Sequence, residues 1–401
     1  MYRLHNALRD IGCDSRILSL HRTVDDPDAI TLQPSHHISN RLIRRIRNKV
    51  RDYRITRYKR PYPYTHQPFS DERSLYSKEL LAQIPSSDVI NLHWMVGLLD
   101  YDSFFHKIKT TPIVWRLSDM NPLTGGCHSN FGCDRFTRSC GMCPQLGSNR
   151  QNDLSAEIFQ RKLSILDNLD DRQIHIVAIS PWMKEQIAKS RLLGRFQATY
   201  IPNGVDVKIF SPLNKKFARD VLKIPQDKTV ILFVAHLLAD PQKGIYFLEQ
   251  ALSQLSEHFN LCLLSVGSHP PQLSANILHL HAGHIADERL MSIAYNASDI
   301  FVNVSVQESF SNTLIEAMSC GVPTIGFPVG IISEAIKPGI TGLLVPTGNV
   351  ALLRSAIAQL LRDPGTRATM GHNARRIAVE QYALEVQARR YVEVYERVLE
   401  R

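Results

Sequence analysis

Two glutamates eight residues apart, Glu308 and Glu316, mark the stretch of this chain richest in chemistry. The apolar run 300–304 ahead of them reads as a buried strand. Ser311, Asn312 and Thr313 are helix-capping residue types, so a helix opens there and carries Glu316. Unpaired backbone N–H groups and the positive dipole end at a helix N-terminus suit a diphosphate. A carboxylate accepts hydrogen bonds from vicinal hydroxyls, so the two glutamates could grip a ribose and a hexose on either side of that diphosphate. Two solvated surface glutamates are the plain alternative; the strand, the cap and the strand restart at Cys320-Gly321-Val322-Pro323 count against it. Two Asp-x-Asp triplets, Asp26/Asp28 and Asp100/Asp102, lack such surroundings and read as solvated loop or cap residues.

The elements that must position these residues form two α/β series. Strand patterns fall at 16–20, 88–93, 113–117 and 174–179, with helical patterns at 1–11, 38–58, 71–84 and 153–169. In the second half, strands at 230–235, 261–266, 300–304, 322–327 and 342–345 alternate with helices at 245–255, 286–297, 312–319 and 350–361. Short apolar strands alternating with helices imply parallel sheets covered on both faces, with ligands beyond the carboxyl ends of the strands. Punctuation at 180–204 places a linker there, giving expected domains at 1–180 and 181–380, with a helix at 381–401 that could return to the first.

With 401 residues, 44% hydrophobic and 21% charged, the chain suits two soluble domains. There is no apolar run long enough to span a membrane and no signal-peptide core at the N-terminus, so the expected location is the cytoplasm. The net charge is +9, yet ten lysines and arginines lie between Arg41 and Arg60 alone. The basicity is thus local, which argues against a nucleic-acid-binding surface. Within that segment Ile38, Leu42, Ile46, Val50 and Tyr53 recur near helical period. A basic amphipathic helix fits an anionic membrane surface, placing the protein peripherally on the inner face of the plasma membrane. The alternative is a helix docked by its apolar stripe onto its own domain.

Four cysteines, Cys127, Cys133, Cys140 and Cys143, crowd a Gly-rich loop. The Cys140-Gly141-Met142-Cys143 turn has metal-knuckle spacing, and four thiolates, or three plus His128, would make a structural zinc site ordering the loop. Disulfide or redox pairing and simple buried thiols remain open beside it.

The Glu-x7-Glu arrangement resembles that of GT-B-fold, retaining family four (group 1) glycosyltransferases. Ile201-Pro202-Asn203-Gly204-Val205-Asp206 is similar to that family's interdomain loop. The strand at 230–235 followed by Lys243-Gly244 matches as well. The run from Thr124-Gly125-Gly126-Cys127-His128 to Cys140-Gly141-Met142-Cys143-Pro144 resembles the bacterial exopolysaccharide and colanic-acid subgroup. The resemblance implies two Rossmann-like domains with a cleft between them. It also implies transfer of a sugar, with retention, from a nucleotide sugar to a saccharide or polyprenyl-linked acceptor in cell-surface polysaccharide synthesis. Glu316 would bind the ribose and Glu308 the donor sugar. The amides around Phe310, Ser311, Asn312 and Thr313 would hold the diphosphate, Lys243 would neutralise it, and Asn203 and Gly204 would border the donor. No catalytic cofactor is implied.

Three departures accompany the resemblance. His236 stands where the family carries an arginine, and is either a single hydrogen-bond donor or a plain loop histidine. Ser118-Asp119 stands where the family carries His-Asp; Asp119 remains to orient hydroxyls, and His128 could fill in or serve the cysteines. The chain opens on a helix where the family has an apolar strand and Gly-rich turn, so a first strand is expected to be missing and the short form less active. An inactive GT-B-shaped binding protein is the rival reading that these departures favour.

Overall fold

The structure is a computed structural model. It describes residues 1–22, 24–35, 37–64, 67–270 and 277–400, excluding the side chains of 38–40. The chain divides into two compact units: Met1–Ile201 with Ala388–Arg401, and Pro202–Gln387.

The first unit runs α1 (Tyr2–Asp10), β1 (Ile17–Ser19), β2 (Ala29–Thr31), α2 (Ile38–Thr56), α3 (Ser77–Gln83), β3 (Ile90–Leu92), α4 (Tyr101–Lys107), β4 (Ile113–Leu117), α5 (Leu154–Leu166), β5 (Ile174–Ala178), α6 (Pro181–Lys189) and β6 (Gln197–Tyr200). Its strands make two separate parallel sheets, β1–β2 and β3–β4–β5–β6. β5 is buried at every position and β4 at four of five. That explains their unbroken apolar runs, because a parallel sheet is covered on both faces. Trp115 on β4 packs edge-on to Tyr101 of α4, and Phe104 and Phe105 complete the aromatic centre of this core.

The second unit runs α7 (Lys215–Val221), β7 (Thr229–Leu237), α8 (Ile245–Leu255), β8 (Leu261–Ser268), β9 (Leu278–His281), α9 (Glu288–Asn296), β10 (Ile300–Asn303), α10 (Asn312–Ser319), β11 (Thr324–Gly326), α11 (Ile332–Ala335), β12 (Gly342–Leu344), α12 (Val350–Arg362), α13 (Pro364–Tyr382) and the start of α14 (Leu384–Leu399). Its six-stranded sheet has the order β12–β11–β10–β7–β8–β9, parallel throughout. The α/β, parallel-sheet expectation is met in both units.

Differences from the sequence reading have local causes. The helix expected over 71–84 begins only at Ser77; Asp71, Glu72 and Ser74 ahead of it are buried in polar contacts. Ser180-Pro181, read as a break, starts α6: the Ser180 hydroxyl accepts the Met183 N–H and proline takes the first helical turn. Asp26, read as solvated, is buried against Tyr2 and Arg9. Asp100 does cap a helix, accepting from Ser103.

Candidate functional site

In the second unit, β10 is fully buried and ends at Asn303. The Asn303 side-chain amide donates to Ser311 Oγ at 2.7 Å. That oxygen caps α10 by accepting the Leu314 N–H at 3.2 Å and lies 3.0 Å from Thr313 Oγ1. The strand end therefore fixes the cap, and the cap fixes where the first-turn N–H groups of α10 point. Asn203 reaches the same helix end, its amide donating to Asn312 Oδ1 at 3.0 Å. Gly204, beside it, packs where a β-carbon would meet Leu384. Phe310 is buried, so only its backbone is available to a ligand.

Glu316 lies one turn into α10, 7% exposed, and accepts a hydrogen bond from Tyr295 of α9 at 3.0 Å. Glu308, on the preceding loop, pairs with Lys243, Nζ to Oε2 at 2.6 Å. Lys243 ends a 3-10 turn, Pro241–Lys243, capped by Asp240. The Val306 N–H donates to the Gln242 carbonyl at 2.8 Å and ties the two loops together. Two glycines make this close approach possible. Gly244 has φ +70°, and a β-carbon on it would lie 2.2 Å from the Val304 carbonyl oxygen; Gly330 has φ +53°, and one there would lie 2.0 Å from that of Glu308. The side chains of Lys243 and Glu308 keep 29% and 18% of their exposure, so the pair is open to exchange with an incoming anion. His236, at the end of β7, is exposed and faces the His284 ring edge-on at 5.5 Å.

In the first unit Asp119 follows β4. Its Oδ2 accepts from Trp94 Nε1 at 3.0 Å and faces His128 Nδ1 at 2.8 Å; its Oδ1 accepts the Asn121 N–H at 2.8 Å. His128 therefore serves Asp119, and its other nitrogen lies 2.7 Å from Ser70 Oγ. Ser118 lines a small cavity with Asp119 and Trp94.

The zinc site expected at Cys127, Cys133, Cys140 and Cys143 is corrected. Among the described residues no group of three or more His, Cys, Asp or Glu side chains is placed to hold a metal ion. The thiols instead fill packing and hydrogen-bond positions: Cys143 is buried with Phe69, Leu146 and Leu154, and Cys140 Sγ accepts the Gly125 N–H at 3.2 Å. Burial pushes the Cys140 thiol up to about 12 and raises that of Cys143 and, further still, that of Cys127. The loop is ordered by other means. Lys162, fully buried, donates to the carbonyls of Asn121 at 2.6 Å and Thr124 at 3.0 Å. Asn121 donates to the Ser70 and Gly126 carbonyls, and Asp153 accepts the Cys143 N–H.

Sequence reasoning missed Asn303, Tyr295, Trp94 and Ser70. Only Asn303 carried a signal, as a polar residue closing an apolar strand.

The fold is that of GT-B proteins. Sucrose-phosphate synthase from Thermosynechococcus elongatus superposes with a TM-score of 0.69 at 21% identity, covering 99% of this chain and 92% of that one. Anabaena HepE, solved with UDP, gives 0.61 at 17% identity, covering 80% and 82%. Within that fold, residues 228–363 match the profile of the family described as glycosyl transferases group 1. The chain is 28% identical to the capsular polysaccharide biosynthesis glycosyltransferase CapM of Staphylococcus aureus, over 53% of this chain and 58% of that protein. It is 29% identical to a D-inositol 3-phosphate glycosyltransferase of Kribbella flavida, over 43% and 44%. The chain thus spans about half the length of the curated relatives it matches.

Proposed function

We propose that the protein is a retaining glycosyltransferase that takes a nucleoside-diphosphate sugar on its second unit and glycosylates a saccharide or lipid-linked acceptor of a cell-surface polysaccharide. The observation that carries this is the grouping, within the matched family segment, of the Lys243–Glu308 pair with the capped N-terminus of α10 and the buried Glu316. A diphosphate would take the first-turn N–H groups and the Lys243 ammonium, releasing Glu308 for a donor-sugar hydroxyl. Glu316, aimed by Tyr295, would accept from the ribose. In the transfer the bond from C1 to the diphosphate oxygen breaks and the acceptor oxygen bonds C1 on the same face. The acceptor proton passes to the leaving diphosphate, whose growing charge meets positive groups already in place. No metal is required for this step. The HepE complex with UDP and the capsular role named for CapM support the donor class and the polysaccharide setting. Asp119 is assigned to orienting hydroxyls on the acceptor side, and α2 to holding the protein on an anionic membrane. The test is release of nucleoside diphosphate from a panel of UDP-, GDP- and ADP-sugars, with binding of each free nucleotide by calorimetry. Failure to bind or turn over any of them removes the proposal.

A further inference from the structure

Trp94 is 62% exposed, an unusual position for the largest apolar side chain. It is nonetheless held in place. Its indole N–H donates to Asp119, and its ring tilts against the His128 ring at 6.3 Å. Asp119 is fixed in turn by His128, itself 5% exposed, and by the Asn121 N–H. A carboxylate offers about four acceptor positions. Trp94 and His128 occupy Oδ2, and the Asn121 N–H takes one position on Oδ1, which among the described residues leaves the second. The cavity beside it is lined by Trp94, Met95, Trp115, Arg116, Ser118 and Asp119. The chain thus presents a rigid apolar plate beside a fixed acceptor.

We infer that Trp94 and Asp119 form a saccharide-binding platform on the first unit. This rests on the glycosyl-transfer reading and deepens its acceptor side. A pyranose has one face of C–H groups and a rim of hydroxyls. The C–H face lies on the indole, and one rim hydroxyl donates to Asp119 Oδ1. The hydrogen bonds behind Asp119 hold both partners before the sugar arrives, which lowers the ordering cost of binding. Trp94 is solvent-exposed, so its substitution leaves the core untouched.

The experiment uses the full chain and four free sugars: glucose, galactose, mannose and N-acetylglucosamine. Binding is read by saturation-transfer NMR and by the shift of the Trp94 indole N–H, assigned by its loss in Trp94→Phe. At least one sugar is expected to bind and move that resonance. Trp94→Ala should weaken it about tenfold, the size of one lost aromatic contact. Trp94→Phe should recover most of the affinity, and Asp119→Asn should weaken it. UDP, GDP and ADP binding should be unchanged in all three variants. The platform is overturned if none of the four sugars binds, or if Trp94→Ala binds as the wild type does. If no nucleotide binds while a sugar still depends on Trp94, the donor-site reading falls and the platform stands.

Discussion

Lys243 and Glu316 differ in what holds them, and this decides how each should be tested. The Lys243–Glu308 pair is partly exposed, so it contributes at most about 1 kcal/mol to stability. Lys243→Ala should therefore leave the melting temperature nearly unchanged. On the proposed role at the leaving diphosphate, the substitution should still cost roughly 100- to 1000-fold in rate. Glu316 is buried under Tyr295, and alanine there would remove that hydrogen bond at about 0.5–1.5 kcal/mol, in addition to the carboxylate. Glu316→Gln keeps an acceptor for Tyr295 and isolates the loss of the carboxylate; its rate should fall by a similar factor, with a near-normal melt. Initial rates with the donor identified from the panel, beside thermal melts, check both. Rates within about threefold of wild type would detach these residues from the donor site.

At the scale of elements, Lys162 on α5 reaches into the loop after β4, and α2 is pinned to α3 and α5 on one side. Lys162→Met preserves most of the volume but takes the Lys162 donor from the buried Thr124 carbonyl, while the Asn121 carbonyl keeps the Thr124 N–H at 3.2 Å. At about 1–3 kcal/mol for the one unpaired carbonyl, the expected loss is about 1–3 kcal/mol. A urea titration measures it, and an unchanged midpoint would mean the loop is held elsewhere. In α2, Arg44 turns inward to Glu79 at 2.8 Å, and Arg54 pairs with Glu157. Leu42, Ile46, Val50 and Tyr53 are left 53–67% exposed on the other side, with Arg45, Arg47 and Lys49 around them. An apolar stripe with a basic rim suits an anionic bilayer, each basic residue adding about 1 kcal/mol. Liposome flotation should show salt-sensitive binding to anionic vesicles, lost when Arg45, Arg47 and Lys49 become glutamate. Equal recovery with neutral vesicles would contradict it. No described helix is long and apolar enough to cross a membrane.

Over the whole molecule, each unit keeps its own core. The cluster around Trp115 and Phe159 draws only on the first unit, and that around Phe233 and Phe327 only on the second. A polypeptide of residues 202–387 should therefore unfold cooperatively and bind the same nucleotide as the full chain within about threefold. A broad, non-cooperative melt would show that the second unit needs the rest of the chain.

The sequence alone determined the alternating architecture and the local form of the proposed donor-site segment. Both depend on local rules: apolar runs for buried parallel strands, Ser311 as a cap, a glycine after Lys243, and Glu316 a set distance along a helix. It could not decide what lies across space. The zinc expectation came from cysteine spacing, which constrains neighbours along the chain. Whether four sulfurs converge depends instead on how Lys162, Asn121 and Asp153 fold the loop. The outward stripe of α2 had two readings because periodicity shows that a helix has an apolar face without showing what that face meets. In the structure Arg44 and Arg54 are tied to carboxylates far along the chain, and the stripe stays exposed. Asp119, Trp94, His128 and Ser70 are separated by intervals with no helical or strand period. Their array exists only where the end of β4 brings the loops around 70, 94 and 128 together, a matter of tertiary packing that no local pattern encodes.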